Sequence, residues 1–250
     1  MPRIVLKLGG SVVTDKAGDC AIRADRIAAC AGEIARRPGI QLVLVHGAGS
    51  CGHPQARHHR LDQGVPPGDI AGITRTHAAV ARLNAAVVEA LRAAGREAVG
   101  IHPLCHCVAV GGRLRDPDWR VVELMLALGV TPVLHGDVVM DTTRGASIVS
   151  GDQLVVSLAR ALSPVRVGLA TDVPGVLGRD GLVMERVHRG RAAGIAGGSE
   201  HPDVTGGMEG KLRELLALAD EGIGSAIFHA SRIGDFLDGR PHGGTMVEEG

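Results

Sequence analysis

The chain has no tyrosine, two phenylalanines and one tryptophan in 250 residues, so it offers almost no aromatic faces on which nucleic-acid bases stack. It also lacks an excess of either charge. Lys plus Arg and Asp plus Glu each total 27, whereas a nucleic-acid binder carries a basic surplus. No apolar run approaches the roughly 18 residues of a membrane span. The opening MPRIVLKLGG has no signal-peptide layout, so a cytoplasmic location is expected. Five cysteines, an odd number in a chain this long, do not read as a disulfide framework. There is no repeat, linker or low-complexity tract. With 45% apolar and 22% charged residues, the sequence describes one ordinary domain, or at most two intimate lobes.

Glycine is what the sequence has in abundance. Its 37 residues are about twice the usual share, and in an apolar chain they point to loops that approach a ligand closely. Short, continuously apolar, β-branched runs at 4–8, 41–45, 98–101, 130–134, 166–170 and 225–229 read as strands buried on both faces. Between them, 23–37, 70–94, 119–128, 152–162 and 210–221 carry helical periodicity; Val80, Leu83, Val87 and Leu91 mark one face of the second. This alternation predicts an α/β fold with a mainly parallel sheet and right-handed crossovers. Two segments break the rhythm as hairpins, 107–115 around Gly111-Gly112 and 138–149 around Arg144-Gly145. The Gly/Pro-rich stretches at 62–69 and 190–207 read as lids.

Three glycine loops sit where a phosphate site needs them. Lys7-Leu8-Gly9-Gly10-Ser11 follows the first strand, with Thr14 and Lys16 just beyond. His46-Gly47-Ala48-Gly49-Ser50-Cys51-Gly52-His53 follows the second, and Asp203 to Lys211 opens the last long helix. Adjacent glycines let backbone N–H groups turn toward an anion, and lysines supply charge. Together they suggest a polyphosphate held from several sides. Gly47, Gly49 and Gly52 formally match a dinucleotide fingerprint, but that motif needs an acidic residue after a further strand about 20 residues on, where the sequence runs Leu61-Asp62-Gln63-Gly64-Val65-Pro66-Pro67-Gly68. The third loop is no Walker A motif: Thr205 replaces its first glycine and Leu212 its magnesium-binding hydroxyl.

In order and spacing, KLGGS with a following TDK, HGAGSCGH, HGDV, SGD, TDV-x-G and DVTGGMEGK resemble the amino-acid kinase superfamily, over nearly the whole chain from Ile4 to Val247. Within it they look most like the isopentenyl phosphate kinase group, because His53 after the second loop accompanies SGD and DVTGGM-x-GK. The resemblance implies a three-layer αβα sandwich with a mainly parallel central sheet. It implies one domain over 1–250, with an acceptor-binding lobe at about 1–162 and an ATP-binding lobe at about 163–250. The implied reaction is ATP-dependent phosphorylation of isopentenyl phosphate to the diphosphate, with Mg²⁺ held by phosphates and water, in a cytoplasmic homodimer. A related phosphonate kinase, of the fosfomycin-kinase kind, is the alternative.

Carried onto this sequence, the resemblance gives Lys7, Leu8, Gly9, Gly10, Ser11, Gly49, Asp172, Gly207 and Lys211 to ATP, and Lys16 to the transferring phosphoryl. It gives Ala48, Gly52, His53 and Gly151 to the acceptor phosphate, with His53 beginning a helix. Asp152 orients Lys7 and Lys16 rather than touching phosphate. The alkyl tail is expected against helix 70–94, segment 102–110 and Ile148-Val149. Cys51, Gln153 and Pro174 depart from the group's usual Phe, Asp and Asp, the first two in ways that bear on acceptor shape. A metal reading of His102 to Cys107, with His53, His58 and His59 elsewhere, is disfavoured because adjacent ligands on a strand point to opposite faces. A non-catalytic nucleotide-binding subunit is the other class, and three retained lysines with His53 count against it.

Overall fold

Segments that are apolar at every position must be covered on both sides, and one large sheet does this. The computed structural model describes residues 1–15, 18–65, 70–115, 117–190 and 207–250. In chain order the elements are β1 (Arg3–Leu8), α1 (Gly10–Val13), α2 (Ala24–Ala35), β2 (Gln41–His46), α3 (Gly49–His58), α4 (Ala71–Ala93), β3 (Ala98–Gly100), α5 (Pro103–His106), β4 (Val108–Val110) and β5 (Arg113–Arg115). There follow α6 (Arg120–Ala127), β6 (Thr131–His135), β7 (Asp137–Asp141), β8 (Gly145–Val149), α7 (Gly151–Leu162), β9 (Arg166–Thr171) and β10 (Arg186–Val187). The last are α8 (Gly207–Ala219), β11 (Ser225–His229), α9 (Ile233–Asp238) and β12 (Thr245–Val247).

The main sheet has the order β10-β12-β11-β9-β1-β2-β6-β3 and is parallel throughout except where β12 runs against β11. All six strands expected from apolar runs are in it. Alternate side chains divide the core in two. Val5, Val43, Leu134 and Leu169 meet α6, α7 and α8 on one face; Ile4, Leu6, Leu44 and Phe228 meet α2, α4 and α9 on the other. Helix α4 buries Val80, Leu83, Val87 and Leu91, the face its period marks. The result is a three-layer α/β architecture.

The two hairpins join as a second sheet, β5-β4-β7-β8, through the parallel pair β4–β7. Asp141 binds their turns together. It accepts N–H donors from Gly112 at 2.7 Å and from Gly111 at 3.1 Å in one turn, and from Thr143 at 2.9 Å in the other. Burial pushes its carboxyl pKa up, but these donors outweigh that and hold it well below the usual carboxylate range.

Three local expectations are corrected. Residues 103–106 form a helical turn started by Pro103, not a strand, which leaves Cys105 exposed and Cys107 buried. The helix expected to begin at His53 instead spans 49–58 as α3, its first turn concealed by glycine from any periodicity search. Pro54 lacks the N–H that would bond to Ser50 four residues back, and the Cys20 N–H takes that carbonyl at 3.3 Å instead. Cys20 and Cys51, so juxtaposed, are disulfide-bonded, one bridge that the expectation of no disulfide framework did not include. With a sequence separation of 31, the chain-entropy gain is about 3–4 kcal/mol. A thiol reductant is therefore expected to lower the thermal midpoint by on the order of 10 °C, and identical melts with and without it would contradict a formed bond. The stretches 66–69 and 191–206, which hold half of the first expected lid and nearly all of the second, lie outside the described residues.

Candidate active site

Parallel strands end on the same side, so loops leaving β1, β2, β6 and β9 share one edge of the sheet. Backbone bonds step them across it: Gly9 N–H to Ala170 O at 2.8 Å, Gly47 N–H to Leu8 O at 2.9 Å and Gly136 N–H to His46 O at 3.0 Å. Above this edge lies a cleft of about 520 Å³, the size of a small-molecule site.

One end of the cleft is walled by Thr171, Asp172, Val173, Gly207, Met208 and Lys211, the other by Ala48, Gly52, His53, Thr76, Val80, Ile148 and Val149. Lys7, Gly9, Gly10, Ser11, Gly49, Gly151 and Asp152 also reach the wall. The fold thus gathers onto one cavity all but two of the residues assigned from the motifs. Leu8 is one exception: it points into the core among α2 and α4 residues and is absent from the wall. Lys16 is the other, and lies outside the described residues. Gly206 and Asp203 of the third loop also lie outside them.

Lys7 and Asp152 form a buried pair, Nζ to Oδ1 at 2.6 Å, each side chain 6% exposed. Their approach depends on Gly151, where a Cβ would meet Lys7 Cε at 3.0 Å. Gly151 begins α7, and Ser150 caps that helix by accepting the Gln153 N–H at 3.2 Å. The first-turn N–H groups and the positive end of the helix dipole therefore face the cleft beside Gly151. Lys211 Nζ donates to Gly207 O at 3.2 Å, which lays the side chain back along its own first turn.

The first two glycine loops are in backbone contact. Thr14 Oγ1 donates to Gly10 O at 2.8 Å and accepts from Ser50 N at 2.9 Å, clamping loop one to helix α3. The motifs placed Thr14 near the site but gave no hint of this clamp. Gly136 and Asp137 on the wall were also missed, although HGDV contains both.

Several site expectations are revised. His53 is half-buried in the second turn of α3 rather than at its start, because the helix begins at Gly49. Segment 102–110 does not wall the cleft. It lies behind Asp137, whose Oδ2 accepts from His77 Nδ1 at 2.9 Å and from Leu104 N at 3.4 Å. Gln153 faces away: its Oε1 accepts from Leu114 N at 2.9 Å and its Nε2 bonds Gly112 O at 3.4 Å, tying α7 to the second sheet. Cys51 is buried and Pro174 is off the wall, so neither shapes the cleft directly. No cluster of three or more His, Cys, Asp or Glu suited to a metal occurs among the described residues. No helix among them is long and apolar enough to cross a membrane.

Comparison with known proteins places this geometry. The model of the amino acid kinase family matches residues 2–229. The isopentenyl phosphate kinase of Haloferax volcanii is 42% identical, covering 97% of this chain and 98% of that one. The isopentenyl phosphate kinase of Methanothermobacter thermautotrophicus is 38% identical, covering 93% and 92%. A solved isopentenyl phosphate kinase superposes with a TM-score of 0.87 at 36% identity, covering 98% of this chain and 99% of that one.

Proposed function

This chain belongs to the amino acid kinase family, and we propose that it transfers the γ-phosphoryl group of ATP to isopentenyl phosphate, giving isopentenyl diphosphate and ADP. The reading rests chiefly on the full-length kinship with isopentenyl phosphate kinases, whose motif residues here share one cleft. We assign the nucleotide to the end bearing Asp172, Gly207 and Lys211, and the acceptor to the end bearing Ala48, Gly52, His53 and Gly151. That division corresponds to lobes at about 163–250 and 1–162, which one continuous sheet joins through β1 and β9.

The acceptor nucleophile is a phosphate oxygen. With a second pKa near 6 it is largely ionised at neutral pH, so no side chain need remove a proton. The obstacle is electrostatic, because two anions must meet in line. Lys7 and Lys211 supply positive charge along the phosphates, and Lys16 is assigned to the transferring group. Asp152 holds Lys7 at a fixed point on the cleft floor and compensates its burial. His53, with N–H groups of Ala48 and Gly151, binds the acceptor phosphate. Thr76, Val80, Ile148 and Val149 accept the alkyl tail.

Mg²⁺ fits this site as a companion of the nucleotide phosphates, whose charge it neutralises. Asp152 and Asp137 already engage Lys7 and His77, and no protein cage forms among the described residues.

The decisive experiment measures ADP release with isopentenyl phosphate, dimethylallyl phosphate and fosfomycin as acceptors. Isopentenyl phosphate is expected to give the highest kcat/KM, and preference for fosfomycin would end this assignment. In the same assay His53→Ala is expected to lower kcat/KM for isopentenyl phosphate roughly 100-fold, the worth of one charge-assisted hydrogen bond. The KM for ATP should stay near its starting value. A variant equally impaired toward both substrates would remove His53 from the acceptor site.

A further inference from the structure

We infer that His46 and His135, two buried histidines behind the cleft, are positioning residues that fix the backbone of the acceptor cradle. This inference rests on the acceptor assignment above and names what holds that site in shape.

The two residues are the last of β2 and β6 and stand opposite each other in the parallel register. Their rings stack with centroids 5.5 Å apart. Each places its Nδ1 against the carbonyl of the next residue: His46 at 3.0 Å from Gly47 O, His135 at 3.1 Å from Gly136 O. A carbonyl only accepts, so Nδ1 carries the hydrogen in both rings. The far nitrogens match this assignment. His46 Nε2 lies 3.2 Å from Asn84 Nδ2, an obligate donor, and His135 Nε2 lies 2.9 Å from His102 Nδ1. Both rings are thus neutral Nδ1–H tautomers. Burial agrees, pushing the His46 pKa down to about 4 and that of His135 to about 3.

The consequence follows from peptide planarity. In a trans peptide the C=O and the next N–H point in opposite directions. Holding Gly47 O against His46 therefore aims the Ala48 N–H away from the core, toward the cleft. Gly136 is the floor on which this matters: a Cβ there would lie 3.3 Å from Gly151 N and 3.7 Å from Ala48 N. The two cradle amides thus converge over a peptide that His135 holds. Without the imidazole donors, both glycine peptides are free to rotate, since glycine imposes little torsional preference of its own.

The test uses the geometry of the donor. The amide nitrogen of Asn stands as many bonds from Cα as imidazole Nδ1, whereas that of Gln matches Nε2. His46→Gln and His135→Gln are expected to raise the KM for isopentenyl phosphate at least tenfold, with the KM for ATP changed less than threefold. His46→Asn and His135→Asn should stay within threefold of the unmodified enzyme. Equal behaviour of Asn and Gln variants, or a parallel rise in the KM for ATP, overturns the inference. So that misfolded variants cannot obscure the result, ¹⁵N NMR of the unmodified protein reads the tautomers directly. Nδ1–H signals for both rings are expected, and an Nε2–H tautomer for either overturns the inference. If the unmodified protein does not turn over isopentenyl phosphate, the functional reading fails by itself, whatever the tautomers.

Discussion

Lys7→Met is expected to lower kcat roughly 10³-fold, the scale at which loss of one preorganised charge slows a phosphoryl transfer. Methionine fills much of the same volume, so the loss would report charge rather than packing. The substitution also strips the buried Asp152 carboxylate of a cation 2.6 Å away. Breaking a buried pair from one side costs about 3–5 kcal/mol, so the thermal midpoint should fall as well. Pairing it with Asp152→Asn removes the stranded charge and should restore most of the stability without restoring turnover. Steady-state ADP release and thermal melts on both variants separate the two effects. Turnover regained by the double variant, or a single variant within tenfold of the original, would show that Lys7 serves folding alone.

Gly47→Ala and Gly49→Ala form the second large expectation. A Cβ on Gly47 would stand 2.6 Å from Gly10 N, and one on Gly10 would stand 2.8 Å from Gly49 Cα. The obstructing atoms are backbone, so no side chain can swing aside. Gly49 adds a positive φ of 50°, which costs a residue with a Cβ about 1–2 kcal/mol, and its Cβ would overlap the Thr14 hydroxyl. Either variant must drive the first two glycine loops apart, and a displacement near 1 Å is worth about 100-fold in rate. A fall in kcat/KM of at least that size is expected for both. Gly39→Ala, with nothing within 4 Å of the added carbon, should change neither rate nor melting. Normal kinetics in Gly47→Ala would mean that the loops do not need to touch.

Much of this molecule was legible in its residues because the main strands are apolar at every position. The cores of all six fall where such runs predict them, since a strand buried on both faces has no other composition open to it. The hairpins were visible through Gly111-Gly112 and Arg144-Gly145 for the same local reason. The first turn of helix α3 was not, because its residues serve the cleft: glycines for close approach and few apolar side chains hide a start four residues ahead of the expected His53. Strand β12 and helix α9 are short, and they gain stability from neighbours that a local pattern does not show. Lys7, His53, Asp152 and Lys211 stand in motifs that occur as contiguous words, and all four reach the cleft wall. Leu8 was misplaced because a word does not say which of its letters faces inward; strand alternation decides that. The pair Cys20–Cys51, the Thr14 clamp and the two histidines depend on register between distant segments. That information enters only with tertiary structure.

The stepped amide bonds that launch the loops also act as a ruler. Strands β9, β1, β2 and β6 are consecutive neighbours, and hydrogen-bonded strands repeat at roughly 4.8 Å. From the nucleotide anchor after β9 to the acceptor anchor after β2 the sheet therefore lays down two intervals, about 10 Å in all. On the proposed reading, the spacing of the loops that anchor donor and acceptor is a lattice constant of the scaffold, which side-chain evolution cannot stretch. Remodelling Thr76, Val80 or Ile148 would re-select the hydrocarbon while leaving the collision distance untouched.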